Sequence, residues 1–422
     1  MLLNYEFENF RSFRNPAKFS MIAPNTKVKN RFTDNYVQLR SGYDVLKTAV
    51  IVGENAGGKS NFVHSCELLK FFFTNNDNVV SSKRDINSNN TTEECPMDSN
   101  TTQRYSLELS DEDDVIYQYL LEYDFIGIIY ESLSLTEKKG GKCVQVFHAK
   151  RDENSVNCDK KAGCNWNKCM INGEFGFSFF INEMYIKGFE KDIFKSYESD
   201  KNIGLFVTKL AILGCTPAVK FTSLIRSALL PESNVINYDL YKSLRSNQDD
   251  LEILKDERYF EIFRLVDYSI VRIEVDDEKP FTDSTVYRKG RDGREFPRKL
   301  RNDSSGVREF FAWAIQVFKV IHENKTVIAD EMDRVLNPVL SERVISFING
   351  SDHKGQFIFT THNVMHLDLR NYMKEQIYFV TKDIETLESE MYSLSEFPEV
   401  RYETAKVYEF YLKGILGGTA SE

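Results

Sequence analysis

The residues most able to do chemistry lie in four short stretches: GENAGGKS at 53–60, DSSG at 303–306, TVIADE at 326–331 and TTHN at 360–363. The first satisfies G-x-x-x-x-G-K-[ST] between an apolar run and an amphipathic one. Backbone N–H groups of such a loop converge on phosphate oxygens at a helix N-terminus. Lys59 would then reach the β and γ phosphates of a nucleoside triphosphate, and the Ser60 hydroxyl would ligate Mg²⁺. Candidate nucleotide contacts are Gly53, Asn55, Gly57, Gly58, Lys59, Ser60 and the following Asn61. In TVIADE, an apolar strand ends on two acids that can divide the work. Asp330 would bind metal through its water shell, and Glu331 would act as general base toward the attacking water. His362, 32 residues after Asp330 at the end of another apolar run, could hydrogen-bond a γ-phosphate and so distinguish ATP from ADP. Ser304 and Gly306 precede the very apolar VREFFAWAIQVFKVI. They read equally as an ordinary helix cap or as a phosphate-binding helix start.

These residues need elements to hold them. Val50, Ile51 and Val52 predict a buried strand, and Phe62, Cys66, Leu69 and Phe73 recur at helical spacing behind the loop. Val327 to Ala329 and Phe357 to Phe359 are apolar on both faces, as in a sheet covered on both sides. The final third alternates strand and helix signals, so the fold class is α/β with a mixed sheet. Residues 1–23 predict two short strands with a turn at Asn15-Pro16, and Tyr105 to about Lys150 an antiparallel meander. Residues 175–265 predict a large helical insertion broken near Gly214 to Pro217, and 269–276 a strand leading into a basic loop. Sixteen of the thirty residues from 74 to 103 are Asn, Ser or Thr, which marks a polar loop. The expected units are 1–73, 74–103, 104–174, 175–265 and 266–422.

The order of GENAGGKSN, DSSG, VIADE, MDRVLNP and TTHN resembles the ABC-type ATPase head shared by SMC, RecF and OLD-like proteins. More narrowly, with NFRSF at the start and the tail from IYFVTKD, it is similar to the AAA15 group of prokaryotic ATPases of phage-defence and abortive-infection systems. The resemblance implies that Ser304 and Gly306 act in trans on the ATP of a second subunit. It makes Asp333 a D-loop acid, His362 the switch histidine and Arg11 a residue near the nucleotide. It also implies a homodimer joined through ATP, open to higher oligomers, with a separately encoded effector such as a nuclease, an RloB-like protein or a TOPRIM protein. The effector would dock on the insertion or the C-terminal helix, and the chain would serve as its sensor, regulatory or scaffold subunit. The sequence departs from the pattern at Val307, where Thr is common, and at Asn337, where His often stands; Gln103 is the residue the resemblance offers for the Q-loop.

Composition bounds these readings. Net charge is −10 over 422 residues, which argues against coating nucleic acid by bulk charge. Still, Arg288 to Arg301 carries seven basic residues against two acids and could contact nucleic acid phosphates. That patch sustains the alternative of a RecF- or SMC-like DNA-repair or DNA-clamping ATPase. No run is long enough to span a membrane, and the seven cysteines are irregularly spaced, so a cytoplasmic protein is expected. Cys143, His148, Cys158, Cys164 and Cys169 lie close together but lack the C-x2-C pair of tight zinc sites.

Overall fold

The computed structural model describes residues 1–74, 102–124, 128–151, 177–186, 204–232, 248–331, 337–402 and 406–417. Its central element is a six-stranded mixed sheet in the order Leu229–Glu232, Thr326–Ala329, Gln356–Thr361, Thr48–Gly53, Ile377–Lys382, Ser389–Ser393. The first five strands run parallel and the last returns antiparallel. Successive residues of these strands feed opposite cores. Ala49, Ile51, Ile328 and Ile358 pack on one side; Val50, Val52, Val327, Phe357 and Phe359 pack on the other. Burial on both faces is why the strands read as unbroken apolar runs.

The helix Lys59–Thr74 packs against one face through Phe62, Val63, Cys66, Leu69 and Phe73. On the other lies the helix Ser305–Glu323, whose Phe310, Phe311, Trp313, Ala314 and Val317 are buried. It stops at Asn324, which takes the left-handed conformation (φ 55°) while Lys325 N–H returns to Lys319 O at 3.0 Å. That stop frees Thr326–Ala329 to become a strand.

A second, seven-stranded antiparallel sheet joins Leu2–Glu8 and Ala17–Ser20 to the meander Gln103–Ser110, Ile116–Tyr123, Ile128–Thr136 and Val144–Arg151. Phe177–Ile181 extends it at the far edge. Gln356 ties the two sheets: its buried side chain accepts from Leu2 N–H at 2.5 Å and donates to Leu2 O at 2.8 Å and Leu46 O at 3.1 Å.

Two expectations change here. The stretch 175–265 is helical at Phe206–Ile212, Thr216–Ala228, Gln248–Lys255 and Glu257–Phe263, with the expected break at Gly214. Among its described residues it also contains two strands, because Phe177–Ile181 finds the open edge of the meander and Leu229–Glu232 the open edge of the central sheet. The basic stretch is likewise a hairpin. Thr285–Lys289 pairs with Glu295–Lys299 around a turn held by Gly290 N–H to Arg294 O at 2.9 Å. Most of the polar run 74–103 lies outside the described residues. Among the described residues, no helix is long and apolar enough to cross a membrane.

Candidate nucleotide site

Parallel pairing aligns the C-terminal ends of four strands. Thr361 stands opposite Val52, Ala329 opposite Phe359, and Gly53 opposite Val380. Lys59, Asp330, Glu331 and His362 therefore gather at one edge, where open α/β sheets place their ligands.

The loop departs from ordinary backbone at Ala56 (φ 61°) and Gly58 (φ 117°), with Gly57 N–H closing on Glu54 O at 3.2 Å. Gly53 has no room for a side chain, since a Cβ there would lie 2.3 Å from Val380 O. Lys59 is buried at the first turn of its helix, and its ammonium folds back onto Gly53 O (2.9 Å) and Glu54 O (2.8 Å). Burial pulls its pKa down, while the carboxylates of Asp330, Glu331 and Glu54 push it back up. Ser60 is half-buried; Asn55 and Ala56 are exposed at the loop's crest.

The two acids differ in setting. Asp330 is buried and accepts from the Thr360 hydroxyl at 2.5 Å. Glu331 is half-exposed, sits at φ 45° and places Oε1 3.7 Å from His362 Nε2. A positive φ is costly for a glutamate and is commonest where function demands a fixed direction.

Arg11 also reaches this region. It lies in a left-handed bend (φ 51°), and its Nη1 donates to Asn61 Oδ1 at 3.1 Å, while Asn61 Nδ2 donates to Ser12 Oγ at 2.8 Å. Ser12 and Ser389 buttress the loop from behind. Ser389 Oγ lies 2.8 Å from Ser12 Oγ and 2.7 Å from Gly57 O, and Ser389 N–H donates to Ser12 O at 2.7 Å. Ser12 falls within NFRSF, but nothing there marked it as a support for the loop, and Ser389 belongs to no spaced motif. Thr360 gave a faint signal as a polar residue ending an apolar strand.

Ser304 and Gly306 stand apart from this cluster. They line a cavity of about 350 Å³ with Asp267, Arg288, Val307, Asn337 and Leu340, and no residue of the 53–60 loop reaches it. Ser304 occupies the N-cap position of Ser305–Glu323, yet its hydroxyl makes no capping bond; its own N–H donates to Asp303 Oδ1 at 2.8 Å. Arg288 braces that aspartate through two bonds, at 2.8 and 3.1 Å, and holds Asp267 at 2.8 Å.

Arg288 is thus committed to its own chain. Arg301 pairs with Asp283 at 3.0 Å, Arg294 with Asp292 at 3.5 Å, and Lys299 donates to Asp283 O at 2.5 Å. This leaves Lys289, Arg291 and Arg298 as the cations of the basic stretch with outward capacity, beside the exposed Phe296. Gln103 is a buried strand residue that accepts from Tyr123 OH. Asp333 lies outside the described residues, as do Cys158, Cys164 and Cys169. Cys143 is exposed, and the His148 ring stacks between Tyr130 and Phe180.

The strand-loop-helix at 53–60 and the acids and histidine at the neighbouring strand ends thus form one cluster on an α/β fold. A family model described as "AAA domain, putative AbiEii toxin, Type IV TA system" matches residues 174–368, a span that includes Ser304, Asp330 and His362 but not Lys59. Over that span the chain is similar to AAA-type ATPases. No curated protein sequence matches the chain. Among solved structures, the SMC head domain from Thermotoga maritima is 13% identical, covering 93% of this chain and 98% of that one at a TM-score of 0.41. An Smc head bound to the C-terminal winged-helix domain of ScpA gives 13%, 93%, 97% and 0.45. The Smc head with an extended coiled coil bound to the ScpA C-terminal domain, derived from Pyrococcus furiosus, gives 13%, 93%, 96% and 0.43. At such scores the likeness carries no functional weight.

Proposed function

We propose that this chain is an ATPase that binds Mg²⁺-ATP at Gly53–Ser60, hydrolyses it with Glu331 as general base, and completes each site with Ser304 and Gly306 of a second copy. The observation that carries the reading is the gathering of Lys59, Asp330, Glu331 and His362 at one strand edge. The donor set suits a hard divalent cation, since the Ser60 hydroxyl and the Asp330 carboxylate are oxygen ligands. Mg²⁺ held there would neutralise charge on the phosphates. Lys59 would leave its loop carbonyls for the phosphate oxygens, Glu331 would take the proton of the attacking water, and His362 would hold that carboxylate's direction.

The separate cavity around Ser304 supports completion in trans, because an open helix start unoccupied by its own cap can accept an anion. The matching family's description, a putative toxin of a type IV toxin–antitoxin system, supports pairing with a second, separately encoded protein; the role as sensor or scaffold in phage defence rests on the motif resemblance. A DNA-clamping role would rest on Lys289, Arg291, Arg298 and Phe296, a smaller basic surface than the sequence suggested.

The test is sedimentation of the Glu331→Gln chain with and without ATP, beside ATPase assays of wild type. ATP should drive dimerisation by linkage. Mixing Lys59→Ala with Ser304→Arg chains should restore at most one composite site per dimer. A monomer indifferent to ATP that hydrolyses at full rate would exclude the trans arrangement.

A further inference from the structure

At the end of the strand Gln356–Thr361, one fully buried hydroxyl serves both acids. Thr360 Oγ1 donates its proton to Asp330 Oδ1 at 2.5 Å and accepts the N–H of Glu331 at 2.8 Å. A hydroxyl has one proton to give and lone pairs to receive, so the two bonds form together. The second bond fastens the backbone of Glu331 where it takes its left-handed turn (φ 45°), a conformation glutamate rarely holds unaided. That turn brings Glu331 Oε1 to 3.7 Å from His362 Nε2, and His362 itself follows Thr360 by two residues.

We propose that Thr360 is a positioning residue for hydrolysis, rotating the Asp330 carboxylate toward the metal side and locking the turn that aims Glu331. This rests on the ATPase reading above. The hydroxyl contacts no part of the 53–60 loop in the bonds it makes, so nucleotide affinity without metal should not depend on it. The neighbouring Thr361 differs: its Oγ1 accepts from Asn363 N–H at 2.8 Å and shapes the following turn.

The decisive comparison is Thr360→Val, which keeps the shape and removes both bonds, against Thr360→Ser, which keeps both. Fluorescent ATP analogue should bind Thr360→Val in EDTA within about twofold of wild type, while the gain in affinity on adding Mg²⁺ is reduced. In steady-state assays kcat should fall about 100-fold, the scale expected when a reacting group is displaced by about 1 Å, with KM nearly unchanged. Thr360→Ser should recover most of kcat. Should Thr360→Val fail to fold, Thr360→Cys offers a smaller side chain with a weaker donor, and an intermediate kcat is expected. Wild-type kcat in Thr360→Val or Thr360→Cys, an equal loss in Thr360→Ser, or loss of metal-free binding would each overturn the proposal. A wild type without ATPase activity would overturn this proposal and the function it rests on together.

Discussion

Glu131→Gln should change how the stability of this protein depends on pH. Glu131 lies wholly buried in the strand Ile128–Thr136, where it accepts from Phe206 N–H (2.6 Å), Val207 N–H (3.0 Å) and Tyr119 OH (3.0 Å). It thereby closes the start of the helix Phe206–Ile212, which has no cap of its own. Burial pushes its pKa up to about 7, against the pull of those three donors. Between pH 4.5 and 7 the folded chain therefore keeps a proton that the unfolded chain releases. The stabilisation from this group is full below about 4.5 and is lost as pH rises through 7. A rise of about 2.5 pKa units corresponds to about 3 kcal/mol. Glutamine does not titrate, so the unfolding free energy of wild type minus that of Glu131→Gln should fall by about 3 kcal/mol from pH 4.5 to 8. Buried His353, lowered to about 4, acts in the opposite direction but is common to both chains and cancels. Urea denaturation in half-unit pH steps, followed by circular dichroism, measures the difference. A difference constant to within about 1 kcal/mol would refute the reasoning.

Glu331→Gln should bind ATP normally and turn it over at least ~100-fold more slowly in a phosphate-release assay. Gly58→Ala should weaken ATP binding at least ~10-fold by fluorescence titration, because its Cβ would lie 2.6 Å from Ser389 Oγ at φ 117°. Arg288→Ala strips the cation from Asp303, whose side chain is only 3% exposed; it should cost about 2 kcal/mol of stability and lower ATPase activity through Ser304.

The candidate site's gathering at one edge was largely legible because each of its motifs follows a strand whose residues are apolar on both faces, and parallel pairing then fixes where such strands end. Glycine at 53 and 58 could be read from the loop pattern alone. The reason for Gly53 is the carbonyl of Val380, more than three hundred residues away, which no local pattern announces. The strand Leu229–Glu232 was hidden for a related reason: LLPE has no alternation, and only the open edge beside Thr326–Ala329 makes it a strand. Charge counting misjudged the basic stretch, since Arg288 and Arg301 find Asp303, Asp267 and Asp283 once the hairpin folds. Glu131 looked like one polar residue of an alternating strand. Its burial depends on a helix that starts seventy-five residues later.

The central sheet also dictates an order of events during synthesis. The strand Thr48–Gly53 is flanked by Gln356–Thr361 and Ile377–Lys382, so its neighbours leave the ribosome about three hundred residues after it does. At about 5–20 residues per second, the six fully buried residues of that strand wait roughly 15–60 s for their partners. The antiparallel sheet closes sooner, because Leu2–Glu8 pairs with Gln103–Ser110. A ribosome-bound nascent chain therefore holds a finished meander beside an unfinished candidate nucleotide site, with Val50, Ile51 and Val52 open to aggregation. Chains shortened before residue 382 would lose that site whole, and production of the intact protein should respond to chaperone supply more than to any single change on its surface.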